Sequence, residues 1–179
     1  YENSPYMTNE ELLKSGELKF NWDKFNLTDF LNPKGLAMLF DTELVYRAKK
    51  CDEPIDMDAK GTLDWKKYFD MINNNDHILA DKKTLYLLGS LGVLDLGRVC
   101  GILSREQDVL TGTGAWGHFA GIFQPFWKGG VTMEYYSFSK RKILKGDKAG
   151  VVKFDKVDGN IRKPEGYGGS YQGQKPPRL

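Results

Sequence analysis

Apolar residues recur at helical spacing along much of the chain and at strand spacing near its end. "GLAMLFDTELVYRAKK" places Leu36, Leu39, Phe40, Leu44 and Ala48 near one face of a helix. "TLDWKKYFDMINNN" repeats the pattern with Trp65, Tyr68, Phe69 and Ile72, after a Thr62 cap and before an Asn-rich stop. "TNEELLKSG" has Thr8 as N-cap, Glu11 three residues on and Gly16 as the stop, the signature of a short capped helix. "SREQ" at 104–107 repeats the capping box and predicts a further helix start. Residues 20–34 mix aromatics with Asn and Pro and read as an ordered loop.

Past Trp127 the period changes. "GGVTMEYYSFSK" alternates as a strand does, and "GVVKFDKVDGNIRK" reads as a hairpin with Asp158-Gly159 as its two-residue turn. The pattern therefore predicts an α+β fold: a mainly helical N-terminal three-quarters, a small C-terminal β-hairpin region and an extended, irregular basic tail. The expected organisation is one domain over 1–163 and a Gly/Pro-rich arm over 164–179, whose three Pro and four Gly cannot build a core.

Two long apolar stretches stand out. Residues 84–103, "TLYLLGSLGVLDLGRVCGIL", carry glycines at 89, 92, 97 and 101, and Asp95 and Arg98 are spaced to pair on one helical face. Residues 110–127, "LTGTGAWGHFAGIFQPFW", contain no Asp, Glu, Lys or Arg. A membrane span needs about 20 apolar residues. The second stretch is too short and too polar for that, and the Asp-Arg pair makes the first costly in lipid. Both hold a G-x-x-x-G pattern, Gly97/Gly101 and Gly117/Gly121, which permits close helix approach. Core or protein interface is the first reading of both, with membrane or membrane-surface contact through 84–103 and 110–127 as the second. Trp116, Phe119, Phe123, Phe126 and Trp127 form an aromatic face suited to docking on a hydrophobic partner. His118, one of two histidines, is the candidate cofactor ligand, towards a metal or the magnesium of a pigment.

Composition changes this picture little. At 179 residues the chain is long enough for a substantial core. The net charge of +2 is uneven: residues 138–179 hold eleven Lys/Arg and four Asp/Glu, a net +7 that leaves −5 elsewhere. A basic arm suits an acidic partner, while the charge is too dilute for a nucleic-acid binder. Tyr167 and Tyr171 are the expected anchors of that arm, with Lys175 and Arg178 facing acidic groups. Cys51 and Cys100 match no metal motif and read as unpaired thiols of a reducing compartment. The chain opens on "YENSPYMTNEE" with neither an initiator Met nor a signal peptide, which reads as a processed or omitted start.

Catalytic signatures are scarce. "DMDAKGTLDW" places Asp56, Asp58, Gly61 and Asp64 at calcium-loop positions, but Lys60 and Lys67 stand where oxygen ligands belong, so calcium binding is not expected. No nucleophile elbow, phosphate loop or zinc spacing occurs. "LGRVCGIL" at 96–103 and "GLAMLF" at 35–40 resemble the Gly-Arg-x-Ala-Met helices of chlorophyll-binding light-harvesting proteins, over less than a fifth of the chain. That resemblance implies a place beside membrane-embedded pigment proteins. The leading expectation is a non-catalytic accessory or linker subunit of a larger membrane complex, photosynthetic or respiratory. Its partners would be other protein subunits, and its location a chloroplast or mitochondrial membrane. The alternative is a small soluble enzyme or ligand-binding domain with a pocket around Trp116 and His118.

Overall fold

The computed structural model describes residues 6–21, 26–51, 64–105, 115–118, 121–157, 168 and 172–174. The expected α+β, mainly helical architecture is overturned. Strands make up 57% of the described residues, and they form a curled antiparallel half-barrel with one α-helix.

That helix, α1 (Asn9–Ser15), is the one the sequence marks at both ends. The Thr8 side chain accepts from the Glu11 backbone N–H, Glu11 accepts from the Thr8 N–H at 2.8 Å, and Gly16 closes the helix at φ 64°. Leu12 turns the helix onto the core. β1 (Leu18–Asn21) follows, and then β2 (Leu31–Asn32) and β3 (Gly35–Ala48) make a tight hairpin within the segment expected to be a loop and a helix. β3 is fourteen residues long and buries Leu36, Met38, Phe40 and Thr42 at alternate positions. A register shift between Asp41 and Val45 then lets Val45 continue the inward row. Apolar residues on both faces of one long strand mimic a helical stripe, which is why spacing alone misleads here.

β4 (Phe69–Asn73) replaces the second expected helix, of which one 3-10 turn, Trp65–Lys67, is the only helical part among the described residues, and β5 (His77–Ala80) follows beyond it. Residues 84–103 hold β6 (Leu85–Ser90), β7 (Val93–Leu96) and the start of β8 (Val99–Arg105). Their glycines serve turns and close contacts. Gly92 bends the chain at φ 85°, and a Cβ at Gly97 would collide with the Glu17 carboxylate. Asp95 does not pair with Arg98; its carboxylate meets Lys128 Nζ at 3.0 Å. Ser104 and Arg105 end β8 instead of starting a helix.

The remaining strands are β9 (Ala115–His118), β10 (Ile122–Phe123), β11 (Lys128–Gly129), β12 (Thr132–Ser137), β13 (Arg141–Leu144) and β14 (Lys148–Lys156). The main sheet runs β10-β8-β14-β3-β6-β12-β9, with β2 and β4 also on β3. β1-β7-β11 and β13-β5 form two smaller sheets. The alternation expected in β12 is observed. β14 supplies the first arm of the expected hairpin, while residues 158–163 lie outside the described residues. β14 has β8 on one edge and, on the other, β3 followed by Tyr6 and Met7.

One core fills the curl. Leu36, Met38, Val45, Leu88, Leu94, Val99, Met133 and Val152 have at most 1% of their surface exposed. Each such side chain contributes about 1.5–3 kcal/mol through burial.

Candidate functional site

Side chains alternate across the sheet, so one row of paired residues faces the core and the next faces out. The inward row runs Tyr135 on β12, Tyr86 on β6, Arg47 on β3 and Asp70 on β4. Burial pushes the Tyr86 and Tyr135 hydroxyls above the ordinary tyrosine range, so both stay protonated. Tyr86 Oη accepts from the Asp81 backbone N–H at 2.9 Å. Arg47 reaches the Asp70 carboxylate at 3.2 Å and Asp81 at 4.0 Å. This row is structural.

The outward row is different. It runs Glu134 on β12, Leu87 on β6, Tyr46 on β3 and Met71 on β4, and Glu134 is in backbone register with position 118 of β9. Glu134 is exposed, and Met71 is 61% exposed. The next outward position on β12, Tyr136, meets Phe138 edge-on at 5.6 Å between ring centroids and lies in register with Trp116. Glu134 stands out among the described carboxylates of residues 35–145. Asp41 and Glu43 share Lys145, Asp70 and Asp81 share Arg47, Asp95 holds Lys128, and Asp64 caps a turn. Glu134 and the turn residue Asp76 have no such partner, and only Glu134 projects from a strand. An exposed carboxylate on this sheet face, with no cation partner among the described residues, is available to a ligand.

The sequence-derived candidates separate into three groups. Phe123 and Trp127 stack on one another, 5.0 Å between centroids, and both are buried in the core of this chain. They are anchors of the fold, not a docking face. Phe126, between them in sequence, is half-buried. The register places Trp116 and His118 on β9, at one edge of the main sheet. Their side chains, together with Phe119, Tyr167, Tyr171, Lys175 and Arg178, lie outside the described residues, as does the calcium-like loop before Asp64. Within the basic arm, 172–174 pack on their own domain. Gly173 N–H donates to Lys128 O at 2.7 Å, and Gln174 O accepts from Gly130 N–H at 3.1 Å. Cys100 is partly buried, and that burial raises its thiol above the ordinary value.

Sequence spacing missed Glu134. The signal was present in "VTMEYYSFS", a strand pattern whose single acidic residue falls on the outward phase. Without a strand partner in view, that phase had no neighbours to give it meaning.

A half-barrel of this topology defines a class of domain, and comparison with known proteins gives the class its name. The model of the 2'-deoxycytidine 5'-triphosphate deaminase (DCD) C-terminal domain matches residues 35–145. The chain belongs to that family. Among solved structures, 2'-deoxycytidine 5'-triphosphate deaminase from Agrobacterium tumefaciens shares the fold with a TM-score of 0.69 and 17% sequence identity. The likeness covers 85% of this chain and 48% of that one, so this chain spans about half the length of the protein it matches. Comparison with curated proteins found no match.

These findings overturn the accessory-subunit reading. The family is that of an enzyme domain, not of a linker in a photosynthetic or respiratory complex. "GLAMLF" lies in β3 and "LGRVCGIL" spans β7 and β8, so neither is a pigment-binding helix. The helices expected to carry membrane contact through 84–103 and 110–127 are absent from the described parts of both segments, which are strands and turns. Among the described residues no helix is long and apolar enough to cross a membrane. With the complex goes the expected location on a chloroplast or mitochondrial membrane. Of the two readings, the family match favours the alternative, a small enzyme or ligand-binding domain.

Proposed function

We propose that this chain is a nucleotide-processing domain that hydrolytically deaminates the cytosine base of a deoxynucleotide, with Glu134 as its acid–base group. The family match over 35–145 supports the substrate class. The observation that carries the site is Glu134, an exposed, strand-borne carboxylate with no cation partner among the described residues, in register with position 118 of the edge strand β9.

The chemistry needs two proton transfers, one from the attacking water and one from the hydroxyl it forms on C4. Water adds to C4 of the base, and the Glu134 carboxylate accepts the proton that the water loses. The resulting carboxylic acid protonates N3 of the base, the carboxylate then takes the proton of the new C4 hydroxyl and passes it to the amino group, the C4–N bond breaks, and ammonia leaves. Cytosine and water become uracil and ammonia, and the carboxylate is restored. A positioned carboxylate suits this shuttle, and glutamate has the same role in other nucleobase deaminases. Tyr46 and Met71, further along the outward row, offer an apolar surface to the base.

Ammonia release and chromatography with deoxycytidine and cytidine mono-, di- and triphosphates test the reading. The expected result is a uracil product from a deoxycytidine nucleotide, with kcat about 10²–10⁴-fold lower in E134Q. A cooperatively folded chain that converts none of these nucleotides overturns it.

A further inference from the structure

Phe126 occupies a backbone position that a phenylalanine rarely adopts. Residues 124–127 form a tight turn in which Trp127 N–H donates to Gln124 O at 3.2 Å. Pro125 takes the second position of the turn, and Phe126 takes the third with φ 62°. A left-handed third residue after proline is the pattern that selects glycine, because any Cβ there is strained. A bulky residue persists in such a position when its surroundings hold it, and such sites cluster where ligands bind. The adjacent aromatics do not share the feature. Phe123 and Trp127 are buried against each other, whereas the half-buried ring of Phe126 stacks on no other ring among the described residues.

The surroundings that hold it are specific. The Gln172 side chain donates through Nε2 to Phe126 O at 3.0 Å and accepts through Oε1 from Lys128 N–H at 2.9 Å. One amide thus clamps the backbone on both sides of Trp127. Phe126 lines a groove of about 430 Å³ on the small sheet β1-β7-β11, with Lys19, Asp95, Lys128 and Gln172. Its size falls in the range of about 300–1,000 Å³ found for small-molecule sites. Most of the polar groups there are already paired. Asp95 holds Lys128 at 3.0 Å, and Glu17 accepts from the Arg98 backbone N–H at 2.7 Å. Two groups remain available: the Phe126 ring face and the Lys19 ammonium, which has no carboxylate partner among the described residues.

We propose that this groove is a second ligand site, separate from the outward row of Glu134, and that it takes a nucleotide. The base stacks on Phe126, and the phosphate meets Lys19. A planar aromatic ring with an attached anion is the ligand class that uses both available groups at once. Glycine would relieve the turn but remove the stacking face, which accounts for the strained residue. The inference does not need Glu134 to be catalytic.

Titration of ¹⁵N-labelled protein with deoxycytidine 5'-monophosphate, followed by amide chemical shifts, reads the two sites separately. The expected result is saturable shifts at Gly97, Phe126, Lys128 and Gln172. F126G, which the backbone accommodates, should weaken that binding about tenfold or more, the scale of a lost base–aromatic stack. F126Y keeps the ring and should restore affinity to within about threefold, because the stacking face is unchanged. K19Q should weaken the monophosphate but not unphosphorylated deoxycytidine. Shifts confined to 116–118 and 132–136 would overturn the proposal while leaving the deaminase reading intact. Groove shifts that F126G weakens, in a protein with no turnover, would do the reverse. Equal affinity in wild type and F126G removes the stacking role and the proposal with it.

Discussion

The two faces of β12 carry opposite duties. Met133, Tyr135 and Ser137 point inward and are almost wholly buried, while Thr132, Glu134 and Tyr136 point outward. The backbone, the strand partners and the local sequence are the same for both sets. Only the phase of the alternation differs, and it divides residues that hold the fold from residues that meet a ligand. The division extends across the sheet, because register aligns the inward row Tyr135–Tyr86–Arg47–Asp70 and the outward row Glu134–Leu87–Tyr46–Met71 on the same four strands. A one-residue slip of β12 would exchange the two sets.

If that division holds, single substitutions one residue apart should fail in different assays. E134Q should cost the full catalytic factor given above. Its melting free energy should stay within about 0.5 kcal/mol of wild type, as for an exposed site without partners. M133A, the inward neighbour, should destabilise by about 2–5 kcal/mol through lost contacts and a residual cavity. What activity survives in M133A should track the folded fraction. Paired denaturant melts and turnover measurements separate the two effects. Equal loss of stability in both variants would show that Glu134 is structural.

The phase of apolar residues also separates the elements legible in the sequence from those that were not. α1 was legible because its signal is local: Thr8, Glu11 and Gly16 fix both ends within nine residues. β12 was legible because its faces contrast. β3 was not, because Leu36, Ala37 and Met38 are all buried, so apolar residues fall on both faces and the period of two is hidden. Residues 84–103 were misread for a related reason. Their strands belong to different sheets, β6 pairing with β3 and β12 but β7 with β1 and β11, and no local pattern announces that switch. The aromatic content of 110–127 was noticed, but helical spacing grouped Phe123, Phe126 and Trp127 together. The turn at Pro125 instead buries two of them and leaves the third on a groove. Glu134 needed register to be seen at all, since its significance rests on residues forty-seven positions before it and sixteen before it.

A smaller effect tests the local signal. T8A removes the side-chain acceptor for the Glu11 N–H and breaks the capping box. Loss of such a cap typically costs about 0.5–2 kcal/mol. Because α1 touches the core through Leu12 and not through the outward row of β12, turnover per folded molecule should be unchanged. Chemical denaturation of T8A checks the first expectation and a turnover assay the second. A loss as large as that of M133A would mean that α1 supports the sheet far beyond its own first turn.

The smallest effect lies where the inward row reaches solvent. Hydrogen bonding from Arg47, with help from Lys49, holds the Asp70 carboxyl below its ordinary value against a modest cost of desolvation. A carboxyl depressed in the folded state contributes stability that is present above its unfolded value, near 3.9, and lost as pH falls towards the lower folded value. Both side chains are roughly two-fifths exposed, so solvent and salt screen the pair and its contribution at neutral pH is small. R47Q should therefore melt close to wild type at pH 7 while losing less of its stability between about pH 5 and pH 3. Added salt should shrink that difference, because screening weakens the pair in wild type alone. Thermal melts across that range at low and high ionic strength read both effects. An acid limb of the same slope in R47Q and wild type would show that the inward row ends at Tyr86, and that Arg47 and Asp70 belong with the solvated surface.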